Sequence, residues 1–198
     1  MSDPAASAAA GPPGAPRGAG DSMVLVTGGV RSGKSGHAER LLAGCDRVVY
    51  VAPGPTPEAE QDPDWHARVE AHRVRRPPTW RTVETADLGA ALDGAGDDAV
   101  LVDCLGTWLT AVIDEAQAWE APEETVGALV AERLDGLLAA LSRRQARTVL
   151  VTNEVGWGVV PAHRSGRLFR DLLGRSNQRV AEVCDEVHLV VAGRVLVL

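Results

Sequence analysis

The stretch Gly28-Gly29-Val30-Arg31-Ser32-Gly33-Lys34-Ser35 constrains this chain more than any other. The apolar run Val24-Leu25-Val26 precedes it and helically spaced residues follow, so the order is strand, glycine loop, helix, as a phosphate-binding P-loop requires. Gly28 and Gly33 allow a tight turn that exposes successive backbone N–H groups to phosphate oxygens, and a helix opening near Lys34 adds its positive N-terminal end. Lys34 is placed to reach the terminal phosphates of a nucleotide, and Ser35 to hold Mg²⁺. The plain alternative, a glycine-rich turn between strand and helix, does not account for all four fixed positions of the motif. Lys34 is also the only lysine among 20 Lys+Arg. A compact ammonium is therefore kept here while guanidinium groups occupy every other basic position.

The length of 198 residues, with 45% hydrophobic and 24% charged residues, fits one α/β domain. A net charge of −7 argues against general nucleic-acid binding, so any anion site must be local. Cys45, Cys104 and Cys184 are far apart and lack CxxC spacing, which favours a reduced cytoplasmic protein over a disulfide framework or a zinc site. No apolar run approaches the ~20 residues that a membrane span needs. Residues 1–22 are almost entirely Ala, Gly, Pro and Ser without an apolar signal-peptide core, and read as a disordered tail before a single domain over 23–198.

Apolar runs predict strands at about 23–27, 48–51, 80–84, 99–103, 148–152 and 186–191, mostly buried as in a parallel sheet, with a short turn at Ala192-Gly193 implying an antiparallel hairpin at the sheet edge. Helices are predicted over about 34–43, 64–75, 104–116, 122–142 and 163–183, the last interrupted or bent near Gly174. Ligands of open α/β sheets sit beyond the carboxyl ends of strands, which draws Ala52-Pro53-Gly54 and the loop from Asn153 to Pro161 toward the P-loop.

The predicted helix over 64–75 places Arg68, His72, Arg75 and Arg76 on one face before Pro77-Pro78 ends it. Such a run is either a solvated basic face or a triphosphate clamp around a nucleophilic histidine, since nearby cations favour neutral imidazole. Glu84, ending a short strand, either accepts hydrogen bonds from a nucleoside or is merely exposed. Asp103 closes Ala99-Val100-Leu101-Val102, the Walker B pattern in which a carboxylate contacts Mg²⁺.

The chain resembles a known family, the bifunctional adenosylcobinamide kinase / adenosylcobinamide-phosphate guanylyltransferases of cobalamin biosynthesis. The likeness runs from Val24 to about Gly193. It rests on Leu25-Val26-Thr27-Gly28-Gly29 with Arg31-Ser32-Gly33-Lys34-Ser35, on Arg68-Val69 with His72-Arg73 and Arg76-Pro77, on Asp103-Cys104-Leu105 with Trp108-Leu109-Thr110, on Asn153 to Pro161, and on Phe169-Arg170-Asp171, Gly174-Arg175 and Asn177-Gln178. The resemblance implies a RecA-like P-loop NTPase sheet, a homotrimer, and two reactions. ATP or GTP phosphorylates adenosylcobinamide, and GTP then transfers GMP through a guanylyl-histidine to adenosylcobinamide phosphate, giving adenosylcobinamide-GDP and pyrophosphate. It places the guanylylated histidine at His72. It places GTP contacts at Gly28, Gly29, Val30, Arg31, Ser32, Gly33, Lys34 and Ser35, at Ala52, Pro53 and Gly54, at Arg73, Val74, Arg75 and Arg76, and at Glu84 and Asp103. Ser35 and Asp103 are the expected Mg²⁺ ligands. Two departures stand out: Pro53 lacks the hydroxyl usual in the family, and Asp62-Pro63-Asp64-Trp65 replaces its usual Asp-x-Glu-Met.

Overall fold

The computed structural model describes residues 22–54, 70 and 76–198. The tail over 1–21, the predicted loop at 55–63, and nearly all of the predicted helix over 64–75, including Arg68, His72, Arg73, Val74 and Arg75, lie outside the described residues.

The elements in order are β1 (Met23–Thr27), α1 (Lys34–Leu41), β2 (Val48–Ala52), β3 (Arg81–Glu84), α2 (Leu88–Asp93), β4 (Ala99–Asp103), α3 (Leu105–Glu115), α4 (Glu123–Arg143), β5 (Thr148–Val151), α5 (Arg164–Ala181), β6 (Glu186–Val191) and β7 (Arg194–Val197). The strands form one sheet in the order β3-β2-β4-β5-β1-β6-β7. Every pairing is parallel except β6 with β7. The expected α/β architecture with its antiparallel edge hairpin is thus present. The hairpin turn has Ala192 at φ 49 and Gly193 at φ 77. Two consecutive left-handed residues match the twist of a two-residue hairpin, and glycine takes the second at no steric cost.

Alternation along the strands splits the core in two. Val24, Val26, Tyr50, Leu101, Val149 and Val151 face α1 with Ala38 and Leu42. Met23, Leu25, Val49, Val51, Val102 and Leu150 face α2, α3, α4 and α5. The apolar residues at 3- and 4-residue steps on the longer helices face the core: Leu105, Trp108, Leu109, Val112 and Ile113 are buried in α3, and Val126, Val130, Leu134, Leu137 and Leu141 in α4, with Leu129 and Leu138 partly buried beside them. Each such side chain contributes about 1.5–3 kcal/mol by leaving water. Trp108 brings its indole N–H to the carbonyl of Ala86 at 3.1 Å, so its polar atom is satisfied inside the core.

Two details differ from expectation. The final helix runs unbroken from Arg164 to Ala181 through Gly174. Glycine there weakens propensity by about 1 kcal/mol without removing a hydrogen bond, and the buried Leu172, Leu173 and Val180 hold the helix on the core. The short helix α2 is absent from the sequence reading; its signal was Asp87, whose carboxylate accepts from the N–H of Ala90 at 2.9 Å as an N-cap. Among the described residues, no helix is long and apolar enough to cross a membrane.

Candidate active site

Parallel pairing brings the carboxyl ends of β1, β2, β3, β4 and β5 to one edge. Asp103 pairs with Val151, and Val151 with Val26, so the acid that closes β4 and the residues that lead into the P-loop end level, with β5 between them. On the far side Ala52 pairs with Glu84, which puts Glu84 beside Ala52-Pro53-Gly54. Among the described residues expected to meet nucleotide, two groups therefore form along this edge: the P-loop near Asp103, and the β2 turn with Glu84.

The loop geometry follows from its glycines. A Cβ at Gly28 would lie 2.4 Å from the carbonyl oxygen of Val190 and 2.8 Å from Ser32 Oγ, so only glycine fits against β6. Gly33 takes φ 96 as the cap of α1, a conformation that side chains other than glycine's adopt at a cost. Arg31 at φ 57 is the loop's second left-handed residue. The turn closes through Ser32 N–H to Gly29 C=O at 3.2 Å and is braced from outside by Gly193 N–H to Ser32 C=O at 2.9 Å. Lys34 is largely buried and spans the loop, its ammonium 3.2 Å from the Gly29 carbonyl oxygen. Thr27 Oγ1 and Ser32 Oγ are buried at the loop with no hydrogen-bond partner among the described residues. Buried hydroxyls are ordinarily paired, so these two are exceptions gathered at the loop.

Asp103 accepts from the phenol of Tyr50 at 3.4 Å. Burial above all, then the charge of Asp103, raises the Tyr50 pKa well above its ordinary value, so the phenol stays protonated as a donor. Over the ring itself sits Arg76, its guanidinium carbon 3.7 Å from the ring centroid and one nitrogen donating to Thr82 Oγ1 at 3.2 Å. Arg76, expected at the nucleotide, is thereby linked through Tyr50 to Asp103. Next to Asp103, burial followed by the same carboxylate pushes the Cys104 thiol upward, keeping it a neutral packing group.

Beyond β5, Thr152 N–H donates to Val26 C=O at 2.9 Å and Glu154 N–H to Gly28 C=O at 3.1 Å, which carries the strand alongside the P-loop. Asn177 of α5 fixes this exit, accepting from the Thr152 hydroxyl at 2.6 Å and donating to the Asn153 carbonyl at 3.2 Å. Arginines of α5 hold the rest of the loop by its carbonyls: Arg170 donates to Gly156 and Gly158, and Arg167 to Pro161 and Ala162. Pinned in this way, the loop exposes Trp157, Val159 and Val160 to solvent.

One further cluster joins α1 to β6. His188 is buried, with Nε2 2.7 Å from Glu186 Oε2 and Nδ1 2.8 Å from His37 Nε2. A His188 that donates from Nε2 to Glu186 and is neutral accepts from His37 at Nδ1.

A model of the family described as cobinamide kinase / cobinamide phosphate guanyltransferase matches residues 24–198, the P-loop, Asp103 and the β5 exit included. The chain belongs to that family. The bifunctional adenosylcobalamin biosynthesis protein CobU of Salmonella typhimurium is 43% identical over 178 residues, covering 86% of this chain and 96% of its own. CobU of Escherichia coli is 40% identical with the same coverage. CobP of Pseudomonas aeruginosa, also a bifunctional adenosylcobalamin biosynthesis protein, is 37% identical over 175 residues, covering 85% of this chain and 92% of its own. Among solved structures, an ATPase from the type III secretion system of pathogenic bacteria superposes with a TM-score of 0.54 at 12% identity, covering 85% of this chain and 51% of that one. That likeness speaks for the fold alone. The family expected from the sequence is thus borne out over nearly the whole described chain.

Sequence reasoning gave no place in the site to Tyr50, to Asn177, quoted only as part of the family likeness, or to Gly193. Tyr50 carried a faint signal, the one tyrosine of the chain in an otherwise aliphatic strand. Gly193 was read only as a turn residue, because its hydrogen bond to Ser32 joins distant parts of the chain.

Proposed function

We propose that this protein carries out both reactions of its family on one site: phosphorylation of adenosylcobinamide by ATP or GTP, then guanylylation of adenosylcobinamide phosphate by GTP. The observation that carries the reading is the P-loop between β1 and α1, with Asp103 level with it one strand beyond β5, in a chain matched by the family model over 24–198.

In the first reaction the hydroxyl of the aminopropanol arm attacks the terminal phosphorus of the nucleoside triphosphate, and the nucleoside diphosphate leaves. Backbone N–H groups of Gly28 to Ser35 and the Lys34 ammonium bind the phosphates and spread the charge that develops on them. In the second reaction neutral His72 attacks the α-phosphorus of GTP, forming a P–N bond and releasing pyrophosphate. The phosphate of adenosylcobinamide phosphate then attacks the same phosphorus, the P–N bond breaks, and His72 is regenerated. Arg73, Val74, Arg75 and Arg76 line the nucleotide in this reading, with Arg75 and Arg76 neutralising departing pyrophosphate; Ala52, Pro53, Gly54 and Glu84 take the nucleoside end.

The donors on offer for a cation suit Mg²⁺. They are oxygens, the Ser35 hydroxyl and the Asp103 carboxylate, and the described residues hold no cluster of three or more His, Cys, Asp or Glu able to cage a metal. Mg²⁺ characteristically takes one or two protein oxygens and fills its shell with water and phosphate. Bound there, it would neutralise phosphate charge.

A homotrimer in the cytoplasm completes the proposal, the former to be read from light scattering on the purified protein. The decisive test of the chemistry is incubation with Mg²⁺ and α-³²P-GTP followed by denaturation. Acid-labile, base-stable label on the wild type and none on His72→Ala is expected. No label on either, with GTP still bound, would leave a plain P-loop kinase and overturn the guanylyl-transfer half.

A further inference from the structure

The kinase half of this reading leaves one proton without a destination. The attacking hydroxyl must lose it as the O–P bond forms, and residues 28–35 of the P-loop include no carboxylate or imidazole to take it. We propose that Glu154 is the general base that takes it.

Among the described residues, three carboxylates stand at the carboxyl edge of the sheet on or just past a strand: Glu84, Asp103 and Glu154. Glu84 lies on β3, separated from β1 by β2, β4 and β5. Asp103 is separated from β1 by β5, accepts from Tyr50, and is the acid suited to the cation. The backbone of Glu154 is hydrogen-bonded to the P-loop, its N–H donating to Gly28 C=O at 3.1 Å, which roots its side chain beside the loop. Its position between Asp103 and the loop follows from β5 being the strand that separates β4 from β1.

The side chain is held rather than swinging. Glu154 Oε1 accepts from Gly156 N–H at 3.0 Å, and the loop that follows is fixed by Arg167 and Arg170. Its Oε2 has no partner among the described residues, so one carboxylate oxygen orients the group while the other can accept a proton. Trp157, Val159 and Val160 project from the same pinned loop into solvent and offer apolar contact to a large acceptor whose hydroxyl is brought to Oε2. The step balances: the acceptor O–H proton passes to Glu154, the O–P bond forms, the bond to the bridging oxygen breaks, the nucleoside diphosphate departs, and Glu154 later returns the proton to water.

The inference rests on the two-reaction reading, and the two activities separate it from that reading. Glu154→Gln keeps an oxygen to accept from Gly156 N–H, so the loop is preserved. Phosphorylation of adenosylcobinamide by ATP and guanylylation of separately supplied adenosylcobinamide phosphate by GTP are measured on the wild type, Glu154→Gln and Glu154→Asp. Expected for Glu154→Gln is a kinase kcat lower by about 10²–10⁴-fold with guanylylation unchanged, and for Glu154→Asp a partial loss. Kinase turnover retained in Glu154→Gln, or loss of both activities in equal measure with melting temperature intact, would overturn the assignment. A wild type with neither activity would overturn the two-reaction reading, and the base with it.

Discussion

Arg76 and Tyr50 are stacked, the guanidinium carbon 3.7 Å from the ring centroid, while the phenol of the same tyrosine reaches Asp103 at 3.4 Å. One aromatic ring thus couples the start of the β3 region to the acid at the end of β4. Tyr50→Phe keeps the stacked ring and removes the donor to Asp103. Since a hydrogen bond of this kind is worth about 0.5–1.5 kcal/mol, GTP in the presence of Mg²⁺ should bind about 2- to 10-fold more weakly. Titration calorimetry reads this directly, and an unchanged affinity would disconnect Tyr50 from the site.

Gly28 makes a sharper prediction. Its missing Cβ is what lets the P-loop lie against Val190, so Gly28→Ala forces the loop away from β6 or the strand from its place. Overpacking of this kind costs about 1–3 kcal/mol. The variant should melt several degrees lower and lose nucleotide binding together, whereas Gly29→Ala, whose Cβ would meet nothing within 4 Å, should keep its melting temperature. Equal behaviour of the two would contradict the packing argument.

Arg170 tests whether the loop after β5 belongs to the acceptor. Arg170→Ala removes the donors to Gly156 and Gly158 without touching the P-loop. KM for adenosylcobinamide should rise while the affinity for GTP stays constant. A fall in GTP affinity with no change in acceptor KM would assign the loop to the nucleotide instead.

The histidine pair joining α1 to β6 gives a pH dependence. Burial first, then His188 and Arg40, lower the His37 pKa below its ordinary value of 6.5, with Glu186 beyond His188 the nearby acid. The unfolded chain therefore takes up the proton more readily than the native one. Stability from this residue is complete above about pH 6.5 and declines as pH falls below it. Thermal melts without nucleotide should show a shallower acid decline for His37→Asn than for the wild type, and identical slopes would refute the assignment.

Much of this was legible because local chemistry speaks locally. The P-loop reads from a strand, fixed glycines and a helix start; the β6–β7 hairpin reads from Ala192-Gly193; the core stripes of α3 and α4 read from 3- and 4-residue spacing. Asp103 was legible as an acid closing an apolar strand. What stayed hidden depends on register and on sheet order. Nothing near Glu154 in the sequence says that β5 will lie between β4 and β1, and nothing near Tyr50 says that Asp103 will stand beside its hydroxyl. Of the interruption or bend expected near Gly174, the interruption is absent for the complementary reason: propensity is a per-residue tendency of about 1 kcal/mol, and burial of the flanking leucines outweighs it.

The bond from Gly193 to Ser32 also bears on the order of folding. The motif that reads most clearly in the sequence is finished by a turn synthesised long after it, because the brace for the P-loop arrives only when β6 has docked on β1 and β7 has turned back. Contacts between distant segments require loop closure before they give anything back. A nascent chain that already contains β1, the glycine loop and α1 would thus not yet grip a nucleotide, and the grip would appear late, as a property of the closed sheet.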